Sequence, residues 1–143
     1  MRFLIVEDDL TSRVVLQEFL DGCGQCHIVV NGVEAVNAVH KALDEGDPYD
    51  LICLDIMMPQ LDGLATLQTI RSLEETSGVP STDRAMIVMT TALDDTHHVA
   101  TAYTRLCDGY LVKPIDRTAI DVFVQACQFR KLAAQHGCTD CEA

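Results

Sequence analysis

The sequence predicts a doubly wound α/β sandwich, a parallel five-stranded sheet with helices on both faces. Three observations carry this expectation. Short apolar runs alternate with stretches of helical period five times along the 143 residues. The strand candidates are continuous apolar runs, the pattern of a parallel sheet buried on both sides. Five strand–helix units in one chain of this length also require right-handed crossovers that return each strand beside another.

Phe3-Leu4-Ile5-Val6 reads as the first strand, and the helix after it stacks Val15 on Phe19 and Leu16 on Leu20 at i,i+4. His27 to Val30 is the second strand, leading into a helix with Val36, Val39 and Leu43 on one face. Leu51-Ile52-Cys53-Leu54 is the third, and its helix carries Leu67 and Ile70. Glu74 to Arg84, with Gly78 and Pro80, reads as a polar surface loop. Met86 to Met89 is the fourth strand, and Val99, Ala102, Tyr103 and Leu106 mark its helix. Tyr110-Leu111-Val112 is a short fifth strand. Ile120, Phe123, Val124 and Cys127 then give the i, i+3, i+4, i+7 stripe of a last helix. The residues after Pro114 suffice for one helix and a short tail, so we expect one domain over residues 1–134 and a flexible tail over 135–143.

Bulk composition narrows the function. Hydrophobic residues make up 48% of the chain, enough for a packed core and too many for a disordered one. No apolar run approaches the ~18 residues of a membrane span. The N-terminal run Phe3–Val6 is too short for a signal peptide and gives way at once to acids. The expectation is a cytoplasmic chain with no membrane partner. A formal net charge of −12 repels phosphate backbones, so direct nucleic-acid binding is not expected. Seven cysteines, an odd number, argue against a complete disulfide framework.

In an open parallel sheet, ligands bind beyond the carboxyl ends of the strands. Glu7, Asp8 and Asp9 come directly after the first strand, and Asp55 after the third. The fourth ends in Thr90-Thr91-Ala92, and the fifth runs into Lys113-Pro114. Clustered carboxylates repel one another unless a cation joins them. Oxygen ligands with room for water suit Mg²⁺. A carboxylate beside such an ion can act as nucleophile toward a phosphoryl donor. Lys113 and the Thr91 hydroxyl are then placed to neutralise the transferring charge.

With these residues in place, a resemblance becomes plain. Val6-Glu7-Asp8, Leu54-Asp55-Ile56-Met57-Met58-Pro59 with Asp62-Gly63, Thr91-Ala92, and Tyr110-Leu111-Val112-Lys113-Pro114 resemble the marks of bacterial two-component response-regulator receiver domains of the single-domain, chemotaxis-regulator-like form. The likeness runs in order and spacing from residue 2 to about residue 130. It implies a flavodoxin-like (βα)5 sandwich with strand order 2-1-3-4-5. It implies that Asp55 accepts a phosphoryl group from a histidine kinase or phosphotransfer protein. Glu7, Asp8, Asp55 and the backbone carbonyl of Met57 would hold Mg²⁺, for which Mn²⁺ could substitute. Thr91, Ala92 and Lys113 would bind the phosphoryl group, Thr91 and Tyr110 would form the switch pair, and the Lys113–Pro114 bond would be cis. The readout face would lie within residues 94–130, serving a separate downstream protein or a homodimer.

Some residues depart from the resemblance or fall outside it. Leu106-Cys107-Asp108-Gly109 stands where the family often has a Gly-Ala pair. Met57 and Leu93 flank the phosphoryl position, and neither can hydrogen-bond an attacking water, so a long-lived phosphoryl group is expected. Cys23-Gly24-Gln25-Cys26 and Cys138-Thr139-Asp140-Cys141 are two C-x-x-C pairs expected at the end of the sheet away from Asp55. Unrelated thiols are the plain reading; a Cys₄ zinc site or a redox pair are the alternatives. The adjacent His97 and His98 read as surface residues.

Two other functions compete. A phosphatase of the haloacid dehalogenase type also uses a strand-end aspartate and Mg²⁺. It resembles Asp-x-Asp at the nucleophile, whereas this chain has Asp55-Ile56-Met57 and lacks the second acid. The expectation is therefore a signalling protein and not an enzyme. The second competitor is a receiver-like interaction module that works without phosphorylation. Such modules lose the acidic pair, the acceptor or the lysine, and this chain keeps all of them.

Overall fold

Alternation along the strands decides which helix covers which face. The structure is a computed structural model that describes residues 1–56, 63–91 and 106–135. The strands are β1 (Arg2–Val6), β2 (Gln25–Val29), β3 (Leu51–Asp55), β4 (Met86–Thr91) and β5 (Gly109–Val112). The helices among the described residues are α1 (Leu10–Leu20), α2 (Gly32–Asp44), α3 (Gly63–Thr76) and α4 (Arg117–Gln135). The strands form one parallel sheet in the order β2-β1-β3-β4-β5, the doubly wound arrangement the sequence implies.

Successive strand side chains point to opposite faces. Leu4, Val6, Ile52, Leu54, Ile87 and Met89 meet Ala35, Val39 and Ala42 of α2 and Leu67 and Ile70 of α3. Phe3, Ile5, Leu51, Cys53, Met86 and Val88 meet Leu16 and Leu20 of α1 and Ile120, Val124 and Cys127 of α4. Each fully buried Leu or Ile removes apolar surface worth ~1.5–3 kcal/mol. The five-residue β3 is buried at every position, as its unbroken apolar run requires.

Three expectations change. The run read as His27 to Val30 is the strand Gln25–Val29, exposed at Gln25 and only half-buried after it, because β2 sits at the edge position that the expected order gives it. It starts at Gln25, whose N–H donates to Met1 O at 2.9 Å. The buried stripe of α2 runs through Ala35, Val39 and Ala42, while Val36 and Leu43 are only partly buried at its flanks. Small residues let α2 lie close to the sheet, and their weak hydrophobicity hides them from a periodicity count. The polar stretch Glu74–Arg84 is also not all surface loop, since α3 continues to Thr76 and Glu74 is buried.

Glu74 is buried because it is paired. Its Oε1 accepts from Arg71 Nη1 at 2.7 Å, and its Oε2 accepts from Ala85 N at 2.7 Å, just before β4. Arg71 also donates to Leu106 O at 2.8 Å, Ala85 O at 2.9 Å and Asp108 Oδ2 at 3.1 Å. Asp108 Oδ2 in turn accepts from Ile87 N at 2.8 Å. One guanidinium thus ties α3 to the entries of β4 and β5, which accounts for the aspartate in Leu106-Cys107-Asp108-Gly109. Gly109 has its own reason: a Cβ there would lie 2.4 Å from Phe123 Cζ on α4. The helix expected around Val99–Leu106 falls largely on residues 92–105, outside the described residues, and so does the tail 136–143. No described helix is long and apolar enough to cross a membrane.

Candidate functional site

The carboxyl ends of β1, β3 and β5 bring the predicted charges together. Glu7 extends the pairing of β1 by donating its N–H to Val29 O at 3.1 Å, and the residue is fully buried. Asp8, one residue on, is exposed. Asp9 is the helix cap: its Oδ2 accepts from Ser12 N at 3.1 Å and Ser12 Oγ at 2.8 Å. Those bonds hold the Asp9 carboxyl below the usual carboxylate range. Asp55 closes β3 at 2% exposure. Carboxylate oxygens of Glu7, Asp8 and Asp55 lie within 4.8 Å of one another.

Lys113 answers this charge from across the sheet. Its N–H donates to Thr91 O at 2.8 Å just past β5, and the Lys113–Pro114 peptide is cis. Its Nζ donates to Glu7 Oε1 at 3.2 Å and stands 3.5 Å from Asp55 Oδ2. Burial would push the ammonium down in pKa, but Glu7 and Asp55 outweigh it and the net shift is upward. For Glu7, burial comes first and Asp55 second, and together they overcome Lys113 and raise the carboxyl to about 7. A carboxyl that retains a proton so far above its ordinary range is one that a cation can relieve.

The donor set fits a divalent ion. All three groups are carboxylates, the hard oxygen ligands that Mg²⁺ prefers. Glu7 Oε2 is buried and makes no hydrogen bond, although Lys113 Nζ passes at 3.1 Å without the required alignment. An ion or its water shell would satisfy that oxygen.

The remaining expected residues divide into two groups. Thr91 is fully buried at the end of β4, on the face shared with Met89, and Tyr110 is half-buried beside Met89 in register. Gly63 lets α3 begin against the end of β3, where a Cβ would meet Ile56 Cα at 3.1 Å. Met57, Ala92, Cys138 and Cys141 lie outside the described residues, as do Leu93, His97 and His98. Cys23 is half-buried in the α1–β2 turn and Cys26 is half-buried in β2, both packed on the α1/α4 face. Among the described residues the metal-competent cluster is the acidic one, and nothing there supports zinc at these cysteines. Burial, then Asp21 and Cys23, raises the Cys26 thiol, which disfavours the thiolate that zinc or redox chemistry needs.

Sequence reasoning passed over Thr90. It is the register partner of Asp55 and 1% exposed, and its Oγ1 has no hydrogen-bond partner. Alternation alone could not have found it, since only the register of β3 against β4 places Thr90 rather than Thr91 on Asp55's face.

A five-stranded doubly wound sheet with three acids and a lysine at the carboxyl edge defines a receiver. The chain belongs to the response regulator receiver domain family, whose family model matches residues 3–125. It is 33% identical over 126 residues, 87% of this chain, to the probable transcriptional regulator ycf27 of Guillardia theta. The chain spans 44% of that relative and 49% of a second, the ycf29 regulator of Porphyra purpurea, so about half the length of each.

Two solved structures are similar. One is the receiver domain of the Saccharomyces cerevisiae response regulator Ssk1, co-crystallised with the histidine phosphotransfer protein Ypd1. It is 28% identical with TM-score 0.70, covering 85% of this chain and 83% of that one. The other is the receiver domain of the sensor histidine kinase PA1611 of Pseudomonas aeruginosa PAO1, with a magnesium ion coordinated in its active site cleft. It is 25% identical with TM-score 0.70, covering 87% of this chain and 94% of that one.

Proposed function

We propose that this chain is a phosphoacceptor switch. Asp55 takes a phosphoryl group from a histidine kinase or phosphotransfer protein, and the chain passes a change of shape to a separate protein or to a second copy of itself. The observation that carries this reading is the convergence of Glu7, Asp8 and Asp55 within 4.8 Å, with Lys113 Nζ 3.5 Å from Asp55 Oδ2.

In the transfer, an Asp55 carboxylate oxygen forms a bond to phosphorus while the donor's bond to phosphorus breaks, its electron pair leaving with the donor. Glu7, Asp8, Asp55 and the Met57 carbonyl would hold Mg²⁺, or Mn²⁺ in its place, and the bound ion would neutralise charge on the transferring group. Lys113 supplies a fixed positive charge and the Thr91 hydroxyl a donor, while a side chain as small as that of Ala92 would leave the approach open. The product adds roughly −1.5 to −2 charges at Asp55. Moving a switch from 1:99 to 99:1 takes about 5.5 kcal/mol, within reach of a few charge-assisted bonds at Thr91 and Lys113. The Tyr110 ring follows Thr91, and residues 94–130 carry the readout.

Leu10, Val14 and Val33 are exposed at 65%, 51% and 57% in the N-terminal halves of α1 and α2, which start from the carboxyl edge, and this supports docking of a partner there. The domain is residues 1–134, with 135–143 as a tail. The proposed setting is the cytoplasm, with no nucleic-acid contact at a charge of −12. The chemistry is limited to the chain's own phosphorylation and dephosphorylation.

The test is incubation with acetyl phosphate and Mg²⁺, then intact-mass measurement of wild type and Asp55→Ala. One phosphate adduct on wild type alone supports the reading. No adduct on folded wild type with Mg²⁺ present sinks it and leaves an interaction module that works without phosphorylation. The resemblance assigns Met57 and Leu93 to the positions flanking the phosphoryl group, and neither side chain can hydrogen-bond an attacking water, so the adduct is expected to persist for minutes or longer; a half-life of seconds refutes that expectation.

A further inference from the structure

Thr90 carries an unexplained buried hydroxyl. Its Oγ1 has no hydrogen-bond partner, and the residue is 1% exposed. Buried polar atoms are nearly always paired, because an unpaired one costs ~1–3 kcal/mol. Thr90 is the register partner of Asp55, and neighbouring strands lie ~4.8 Å apart. Alternation places Cys53 and Val88 on the α1/α4 face, and Asp55 and Thr90, two residues on from each, share it. Lys113 reaches Glu7 and Asp55 from β5, so its side chain crosses β4 at the level of Thr90. The hydroxyl therefore lies on the floor of the acidic site, between the strand that carries Asp55 and the strand that carries the lysine.

We propose that Thr90 is a ligand of the acyl phosphate, its hydroxyl donating to the Asp55 carbonyl oxygen once the other carboxyl oxygen is esterified. This rests on the phosphoacceptor reading of Asp55. Before transfer, Lys113 Nζ stands 3.5 Å from Asp55 Oδ2. After transfer, the ammonium follows the new charge onto the phosphoryl oxygens. The phosphoryl group must take the outward oxygen, because the floor is closed by β4. The other oxygen, now a carbonyl, has two lone pairs: one would serve the ion that Asp55 helps to hold, and the other would turn to that floor, where the Thr90 Oγ1–H can donate. The bond exists only in the phosphorylated chain, which is why the hydroxyl is unpaired in this structure. Thr90 thus adds a second hydroxyl to the site, on the opposite face of β4 from Thr91.

The test uses beryllofluoride with Mg²⁺, a reversible phosphoryl mimic on the Asp55 oxygen, with binding to the full chain read by ¹⁹F NMR. Thr90→Val is expected to weaken beryllofluoride binding by about fivefold or more, the worth of one hydrogen bond. Thr90→Ser, which keeps the hydroxyl, should stay within about twofold of wild type. Ligand-free Thr90→Val should melt at or above the wild-type temperature, since it loses only an unpaired hydroxyl. Equal affinity of Thr90→Val and wild type overturns the proposal and leaves the phosphoacceptor reading intact. So does equal weakening of both variants, or a lower melting temperature of Thr90→Val, either of which means the hydroxyl serves the resting fold. Wild type that neither binds beryllofluoride nor forms a phosphate adduct removes both.

Discussion

Glu74→Ala tests the hub that joins α3 to the entries of β4 and β5. The side chain is 3% exposed and makes two contacts of 2.7 Å, one from Arg71 and one from Ala85 N. Truncation leaves the Ala85 N–H, on a residue 7% exposed, without its acceptor, at a cost of ~1–3 kcal/mol. It also strips a charge partner from Arg71, which is 10% exposed. Breaking a buried pair typically costs ~3–5 kcal/mol. Asp108 Oδ2 still holds Arg71 Nη2 at 3.1 Å, which keeps the two losses from adding fully. The net expectation is about 3–5 kcal/mol. At ~3 °C per kcal/mol for a chain of this size, the melting temperature falls by roughly 10–15 °C. Urea denaturation is the cleaner assay, with a lower midpoint at an unchanged slope. A loss below about 1 kcal/mol refutes the reasoning and makes the hub a set of redundant bonds.

Burial and Asp55 raise Glu7 to about 7, so a cation must displace its proton below that pH. Apparent Mg²⁺ affinity, measured by calorimetry between pH 6 and 8, rises as pH climbs to about 7 and then levels off; a flat profile refutes the assignment. The same shift acts on folding in the opposite direction. Without metal, the contribution of Glu7 to stability is full below the ordinary carboxylate range and is lost as pH rises toward about 7. Gly109→Ala drives a Cβ to 2.4 Å from Phe123 Cζ, so denaturation should show a loss of ~1–3 kcal/mol, part of it recovered in the double variant with Phe123→Leu.

The sequence disclosed much of the fold because the central strands are apolar runs with no second reading. Leu51 to Leu54 and Met86 to Met89 are strands in the structure as in the sequence. The acids and Lys113 were legible too, because each stands where an apolar run stops. Long-range polar pairing was not legible. Arg71 and Asp108 are 37 positions apart, and no periodicity links a helical arginine to an aspartate before a strand. Ala35 and Ala42 were hidden by size, since a methyl group counts little in a hydrophobic stripe yet fixes how close α2 lies. Thr90 lay within a motif already noticed, but choosing between adjacent threonines required the register of β3 against β4.

The contact between Lys113 and Glu7 spans 106 positions and joins the two ends of the domain. No fragment that starts after Glu7 or stops before Lys113 holds both halves of the site, so charge capture there is an inspection of the nearly finished molecule. A nascent or nicked chain has the acids or the lysine but not their meeting. Whatever the site captures also locks the sheet around it, adding ~2.7 kcal/mol when the captured species stands at a hundred times its dissociation constant. The signal and the certificate of correct folding are therefore one event, and a misassembled copy is silent rather than misleading.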